Sequence, residues 1–283
     1  MGTQVGCQRV KVHMAAKVLS LEEAARLVSS GEVLALGGLT LYRRPVSFVR
    51  ALIRRFRESA EPGGLTLLAF TAGLESDLLV GAGMVSRVRS CYFGFEIFGL
   101  APMFTYHANR GDIEIIEETE ASLALGLRAA QANIGFMPGR AWLGTDLPAL
   151  RPDVKTVRDP YSGEELMAFP AIHPDTAAIH ALQADLDGNA IIGGNKGVDE
   201  ELALTAGRVI LTAEEIVPEL KRADLVGPLV DAVVLSPNGA RPTSCHPIYP
   251  IDGEFILNYS EQVTDPPSFA AYVDRWLADW PSR

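Results

Sequence analysis

The chain has 283 residues, 48% of them hydrophobic, which is enough for a sizeable core in one large α/β domain. Its formal charge of −10 argues against a nucleic-acid partner, which calls for a basic surface. The three cysteines (Cys7, Cys91, Cys245) are widely spaced, make no CxxC and no disulfide framework, and suit a reducing cytoplasm.

No apolar run reaches the ~18 residues of a membrane span. No apolar stretch of signal-peptide type follows the first residues either. Residues 1–17 are read as a disordered lead and 18–283 as a single domain. Ser20-Leu21-Glu22-Glu23 spells a capping box, and Ala24, Ala25, Leu27 and Val28 give the following helix an apolar face, with Gly31 as its stop. An apolar strand at 33–36 ends in Gly37-Gly38-Leu39-Thr40-Leu41-Tyr42-Arg43-Arg44, and Pro45 opens an amphipathic helix over 46–57. Strand, glycine turn and helix N-terminus is the layout that aims backbone N–H groups outward from the carboxyl edge of a parallel sheet. With Arg43 and Arg44 beside it, the turn suits a carboxylate or phosphate; equally, it reads as an ordinary strand-to-helix turn. It is neither a GxGxxG fingerprint nor a P-loop.

Further strands are predicted at 65–69, 88–93 and 113–116, with a second small-residue turn at Thr71-Ala72-Gly73. Thr119 caps a helix over 120–132, and 138–160 reads as a long crossover excursion. Strands follow at 166–169 and 177–183, then an Asp187-Gly188 turn that pairs 190–192 back as a hairpin. Next come a helix at 199–206, a strand at 209–211 and a second capping box at Thr212-Ala213-Glu214-Glu215. A strand at 232–235, loop over 236–265 and an amphipathic helix at 269–280 complete the chain. Helices alternating with short apolar strands imply parallel βαβ units.

The five histidines show no HxxxH or HxH spacing, so no metal site is read, and His180, inside an apolar strand, is taken as a satisfied core histidine. There is no GxSxG elbow. Acidic residues are the better candidates. Glu96 follows a buried strand between Phe95 and Ile97-Phe98, where desolvation would raise its pKa and suit acid–base work. Glu120 lies where a strand gives way to a helix, while Glu117 and Glu118 read as a solvated acidic face at the helix N-terminus. Glu96 and Glu120, after neighbouring strands, would share one cleft. The stretch from Pro237 to Cys245 is a third constrained strand end. A small anionic substrate or a phosphate-bearing cofactor follows from this; a reaction does not.

Several stretches together resemble the α subunit of family I CoA-transferases of the glutaconate type, from about residue 18 to 276. They are Gly37-Gly38-Leu39-Thr40 with Arg43 and Pro45, Phe136-Met137-Pro138 with Leu143-Gly144, and Ile179 to Ala184 with Asp187-Gly188. Glu214-Glu215-Ile216-Val217 and Gly239 to Ser244 with Tyr249 follow in the same order. The resemblance implies a Rossmann-like, open and mostly parallel sheet with helices on both faces. It also implies a β-subunit partner, a hetero-oligomer, and an active site at the α/β contact. Gly37, Gly38, Thr40 and Arg43 would bind substrate, with Arg43 facing the cleft. Coenzyme A would be a substrate, with no cofactor bound. A β-subunit glutamate would attack an acyl-CoA, and CoA would pass through a glutamyl thioester to a small, possibly dicarboxylic, acid. No Ser-Glu-Asn-Gly motif of a β subunit stands in this chain. A related group, the steroid ring-opening hydrolases, carries its working glutamate on the α subunit before the helix that matches 121–132, where Glu120 stands. Glu96 stands where the glutaconate type is expected to have a small hydroxyl residue. A non-catalytic, metabolite-binding subunit that kept only the fold is the third reading.

Overall fold

The structure, a computed structural model, describes residues 17–279. All but the last residue of the lead read over 1–17 lies outside the described residues, as do Cys7 and His13. The chain runs β1 (Lys17–Val18), α1 (Leu21–Ala25), β2 (Val33–Leu36), α2 (Val46–Ser59), β3 (Leu65–Ala72), α3 (Leu74–Gly81), β4 (Val85–Phe93), α4 (Pro102–Arg110), β5 (Glu114–Glu117) and α5 (Glu120–Gln131). It continues through β6 (Phe136–Gly139), α6 (Leu147–Leu150), β7 (Lys155–Arg158), β8 (Glu165–Pro170), β9 (Thr176–Asp185), β10 (Ala190–Ile191), α7 (Asp199–Thr205), β11 (Arg208–Val217), β12 (Ala232–Leu235), α8 (Gly253–Gln262) and α9 (Pro266–Asp279).

The main sheet has the order β1-β12-β11-β9-β2-β3-β4-β5, with every neighbouring pair parallel and β10 folded back antiparallel on β9. Helices cover both faces. Leu34 and Leu36 of β2 join one core with Phe48 and Leu52 of α2, whereas Ala35 joins the opposite core with Leu123 and Leu127 of α5. Burial on two faces is why β2 reads as an unbroken apolar run instead of an alternating one. The Ser20 capping box is formed, with Ser20 Oγ accepting from the Glu23 amide and Glu23 Oε2 from the Ser20 amide.

Three local expectations give way to tertiary pairing. Thr212-Ala213-Glu214-Glu215 starts no helix; it continues β11, whose register with β9 runs as far as Val217↔Asp185. Thr212 is fully buried there, so sheet pairing outweighs the capping signal. The 236–265 loop contains α8, whose N-terminus is capped by Asp252 Oδ1 accepting from the Phe255 amide at 3.0 Å. The 138–160 excursion belongs to a separate antiparallel sheet, β6-β8-β7, closed by Trp142 edge-on to Phe169.

Because neighbouring strands are parallel, the carboxyl ends of β11, β9, β2, β3, β4 and β5 lie along one edge. That edge carries Glu214, the glycine turn, Gly73, Glu96 and Glu120, and it is where open α/β sheets bind ligands.

One buried acid ties the helices behind this edge together. Asp77 of α3 accepts from the Met103 and Phe104 amides at the start of α4 (3.3 and 2.7 Å) and from the Tyr259 hydroxyl of α8 (2.7 Å). Burial raises its pKa from 3.8 to about 6 despite these donors. A folded value above the unfolded one favours the folded state below about pH 4, and that contribution is lost as the pH rises through about 6. Urea unfolding should therefore show a loss of about 1.4 kcal/mol from this group between about pH 5 and pH 7.5. Asp77→Asn should remove that loss; an equal slope in the variant would assign it to other groups.

Candidate active site

The turn after β2 has three residues in the left-handed region, Gly38 (φ +84°), Thr40 (+43°) and Arg43 (+54°). Two of them are not glycine, a strain that persists only where surrounding contacts hold it. Those contacts are explicit. The amides of Gly37, Gly38 and Thr40 donate to Ala178 O, Asp199 Oδ1 and Thr71 Oγ1, each at 2.9 Å. The Arg43 amide donates to Ser244 O at 2.6 Å and the Arg44 amide to Thr243 Oγ1 at 3.4 Å. The donors expected to meet an anion are thus engaged within the chain.

The arginines are engaged as well. Arg43 is fully buried, with Nη2 on Asp199 Oδ2 at 2.6 Å and Nη1 on the His180 carbonyl at 2.5 Å. Arg44 is also fully buried and pairs with Glu75 at 2.5 Å. The expectation that Arg43 faces the cleft and binds a substrate carboxylate is corrected. A buried guanidinium requires a counter-charge, and Asp199 at the start of α7 provides it. The glycines serve the same contact. A Cβ on Gly37 would lie 2.8 Å from Asp199 Oδ1, and one on Gly38 only 2.5 Å from the Arg43 carbonyl oxygen.

Glu96 and Glu120 stand on neighbouring strand ends, after β4 and β5, with no bond between them. Glu96 opens a short 3-10 turn at φ +54° and is exposed, so the expected desolvation is absent from this chain alone. Only Phe95 points into the core; Ile97 is 92% and Leu100 71% exposed. Glu120 begins α5, capped by Thr119, and is exposed too. Neither carboxylate has a hydrogen bond or ion pair among the described residues. Glu120 lies close to Cys91, where burial, aided by that charge, pushes the thiol up to about 11. Glu118 is not part of a solvated face: it is buried, taking Arg89 at 2.6 and 2.8 Å, Arg151 at 3.0 Å and the Ser122 hydroxyl.

A second constellation was hidden by the misread 212–215 segment. His180 of β9 is fully buried, with Nδ1 2.8 Å from Thr212 Oγ1 and Nε2 2.8 Å from Glu214 Oε1. Both ring nitrogens are satisfied, as the core reading of His180 requires. Glu214 also accepts from the Asn238 amide at 2.6 Å, the Gly239 amide at 3.1 Å and the Tyr249 hydroxyl. Burial pushes the Glu214 carboxyl up, but His180, Tyr249 and the Asn238 amide outweigh it and hold the carboxylate below its usual range. Burial likewise lowers the His180 pKa, so the pair is a neutral imidazole donating Nε2–H to an ionised Glu214. Cys245 Sγ completes a group with His180 and Glu214 whose possible ligand atoms lie within 4.8 Å of one another. The bonds above already occupy the His180 and Glu214 atoms. The available sequence signal was the Glu214-to-Val217 and Tyr249 markers, not the local pattern. Beside this constellation opens a cleft of about 490 Å³, with Leu182, Gln183 and Ile191 on one side and Pro247 and Ile248 on the other.

Among the described residues no helix is long and apolar enough to cross a membrane. Residues 18–235 match the family model for coenzyme A transferase. The chain is 33% identical over 270 residues to the 3-oxoadipate CoA-transferase α-type chain of Pseudomonas knackmussii, covering 93% of this chain and 94% of that one. It is 32% identical over 282 residues to the cholesterol ring-cleaving hydrolase IpdA subunit of Rhodococcus jostii, covering 93% and 92%. A longer uncharacterized protein of Archaeoglobus fulgidus is 36% identical over 87% of this chain, which spans 56% of its length. The structure of glutaconate coenzyme A-transferase from Acidaminococcus fermentans superposes with a TM-score of 0.86 at 29% identity, covering 94% of this chain and 90% of that one. The matched fold, the glycine turn at the carboxyl edge and relatives similar over almost their whole length agree, and the chain belongs to the coenzyme A transferase family.

Proposed function

We propose that this chain is the α subunit of a heteromeric CoA-transferase that moves CoA between an acyl-CoA thioester and a small carboxylic acid. A β subunit would complete the site and supply the attacking glutamate. The observation that carries this reading is the state of the carboxyl edge. The amides and arginines of the glycine turn are engaged inside the chain, while Glu96 and Glu120 are solvated and stand beside exposed Ile97 and Leu100. Such an edge offers walls but neither a dry nucleophile nor a free cation at this turn. A second chain covering Ile97 and Leu100 would provide dryness by burying apolar surface. In the exchange, the attacking carboxylate forms an acyl anhydride as CoA thiolate leaves. The thiolate then returns to form the enzyme thioester and release the first acid, and the second acid repeats the sequence in reverse.

The hydrolase reading has an observation of its own in Glu120, an unpartnered carboxylate at the strand-to-helix junction, together with a relative named as a ring-cleaving hydrolase subunit. One experiment separates the two. The chain purified alone is expected to be inactive, and co-purification with its β subunit to give acyl transfer to an added acid. In that complex Glu120→Gln should retain transfer within a few-fold. A loss of about three orders of magnitude in a folded complex would instead make Glu120 an essential acid, base or nucleophile, as hydrolysis requires. Full turnover by the isolated chain would sink the two-subunit reading.

A further inference from the structure

The cleft at the ends of β9 and β11 has a size typical of small-molecule sites, about 490 Å³. It adjoins the glycine turn: the Tyr42 hydroxyl reaches the His246 carbonyl at 3.4 Å, next to wall residue Pro247. Leu182, Ile191, Pro247 and Ile248 make its walls apolar. Its charge has one sign. Glu214 and Glu215 line it, and Gln183 Nε2 donates to Glu215 Oε2 at 2.8 Å. No arginine or lysine among the described residues lines it; Arg43 is held by Asp199, and Lys196 by Glu200 and Asp224.

Glu214 itself is not free to act on substrate, because His180, Tyr249 and the amides of Asn238 and Gly239 converge on its two oxygens. It pins the far wall instead. The Tyr249 carbonyl accepts from the Cys245 amide at 3.0 Å and the Ile248 amide donates to Cys245 O at 2.7 Å, so the turn bearing Pro247 and Ile248 is closed on the residue that Glu214 holds. The same segment braces the glycine turn, since the Ser47 amide donates to Gly239 O and the Ser244 amide to Leu41 O, each at 2.9 Å.

From this geometry we infer that the cleft is the acyl-group subsite and that it takes acyl groups with an uncharged, apolar tail, rejecting dicarboxylic ones. The inference rests on the CoA-transferase reading for the word acyl, and on the cleft alone for the tail. A terminal carboxylate entering it would meet two like charges with no cation to offset them, whereas an alkyl tail would meet four apolar side chains.

The test uses the α/β complex with butyryl-CoA and glutaryl-CoA, read both by kcat/KM with a common acceptor and by calorimetric titration. Butyryl-CoA should be preferred by about tenfold or more in both readouts. Glu215→Lys, which reverses the charge of an exposed residue, should erase most of that preference. Leu182→Trp, which fills the cleft, should weaken butyryl-CoA more than acetyl-CoA. A preference for glutaryl-CoA, or a ratio untouched by Glu215→Lys and Leu182→Trp in folded complexes, would overturn the inference. Calorimetric discrimination without any transfer would sustain the subsite and sink the transferase reading, so the two fail separately.

Discussion

Asp199→Ala should destabilise the protein by about 3–5 kcal/mol, the usual consequence of removing one partner from a buried ion pair. Asp199 has no exposed surface and accepts both the Arg43 guanidinium at 2.6 Å and the Gly38 amide at 2.9 Å. The alanine leaves a buried cation without a counter-charge and a buried N–H without an acceptor. The His180 carbonyl, Arg43's partner at 2.5 Å, offers only a partial charge in return. Asp199→Asn should lie between wild type and alanine, because it keeps an acceptor and loses the charge. The pair itself is tested by Arg43→Met combined with Asp199→Leu. Removing both charges should recover part of the loss, as replacing a buried pair by apolar side chains often does. Urea unfolding of the four proteins measures this. A loss below about 1 kcal/mol for Asp199→Ala would mean that water reaches Arg43 and that the turn is not held from beneath.

What could be read from the sequence divides by how local its cause is. The strand before the glycine turn, the Ser20 capping box and the Asp187-Gly188 hairpin rest on neighbours within a few residues, and each forms where expected. The open parallel sheet followed from alternating patterns and from the family resemblance, and both point to the architecture observed. The candidate site was less legible because its electrostatics is long-range. Arg43 meets Asp199 across 156 positions, Arg44 meets Glu75 across 31 and Arg89 meets Glu118 across 29. Without those partners, two buried arginines read as an anion site and a buried glutamate as a solvated face. The Thr212-to-Glu215 segment shows the opposite failure. Its local signal was sound for a helix start, but β9 offered a full-length parallel partner, and the strand carried Glu214 out to the cleft. Glu96 and Glu120 were placed on the right edge, yet their solvation depends on what covers Ile97 and Leu100.

Gly38→Ala should lower kcat/KM of the α/β complex by about a hundredfold while the complex still forms, because a displacement near 1 Å at a positioned turn costs on that order. The added Cβ would stand 2.5 Å from the Arg43 carbonyl oxygen and 2.6 Å from that of Tyr42. Both are backbone atoms, so no side-chain rotation relieves the contact and the 38–43 turn must open. Opening it pulls on the Leu39–Tyr42 bonds of 2.8 and 3.0 Å and on the segment from Gly239 to Ser244 that braces the turn. A second cost, the φ of +84°, is shared by many glycines and has to be separated from crowding. Gly64 makes the separation. It has φ +66°, lies at the amino end of β3, away from the site, and a Cβ there would meet nothing within 4 Å. Gly64→Ala should therefore cost only the left-handed penalty, about 1 kcal/mol of stability, and leave kcat/KM unchanged. The readouts are kcat/KM on one acyl-CoA and a urea midpoint for each variant. If Gly38→Ala behaves like Gly64→Ala, losing stability but not turnover, the glycine turn is a structural corner and the substrate lies elsewhere on the edge.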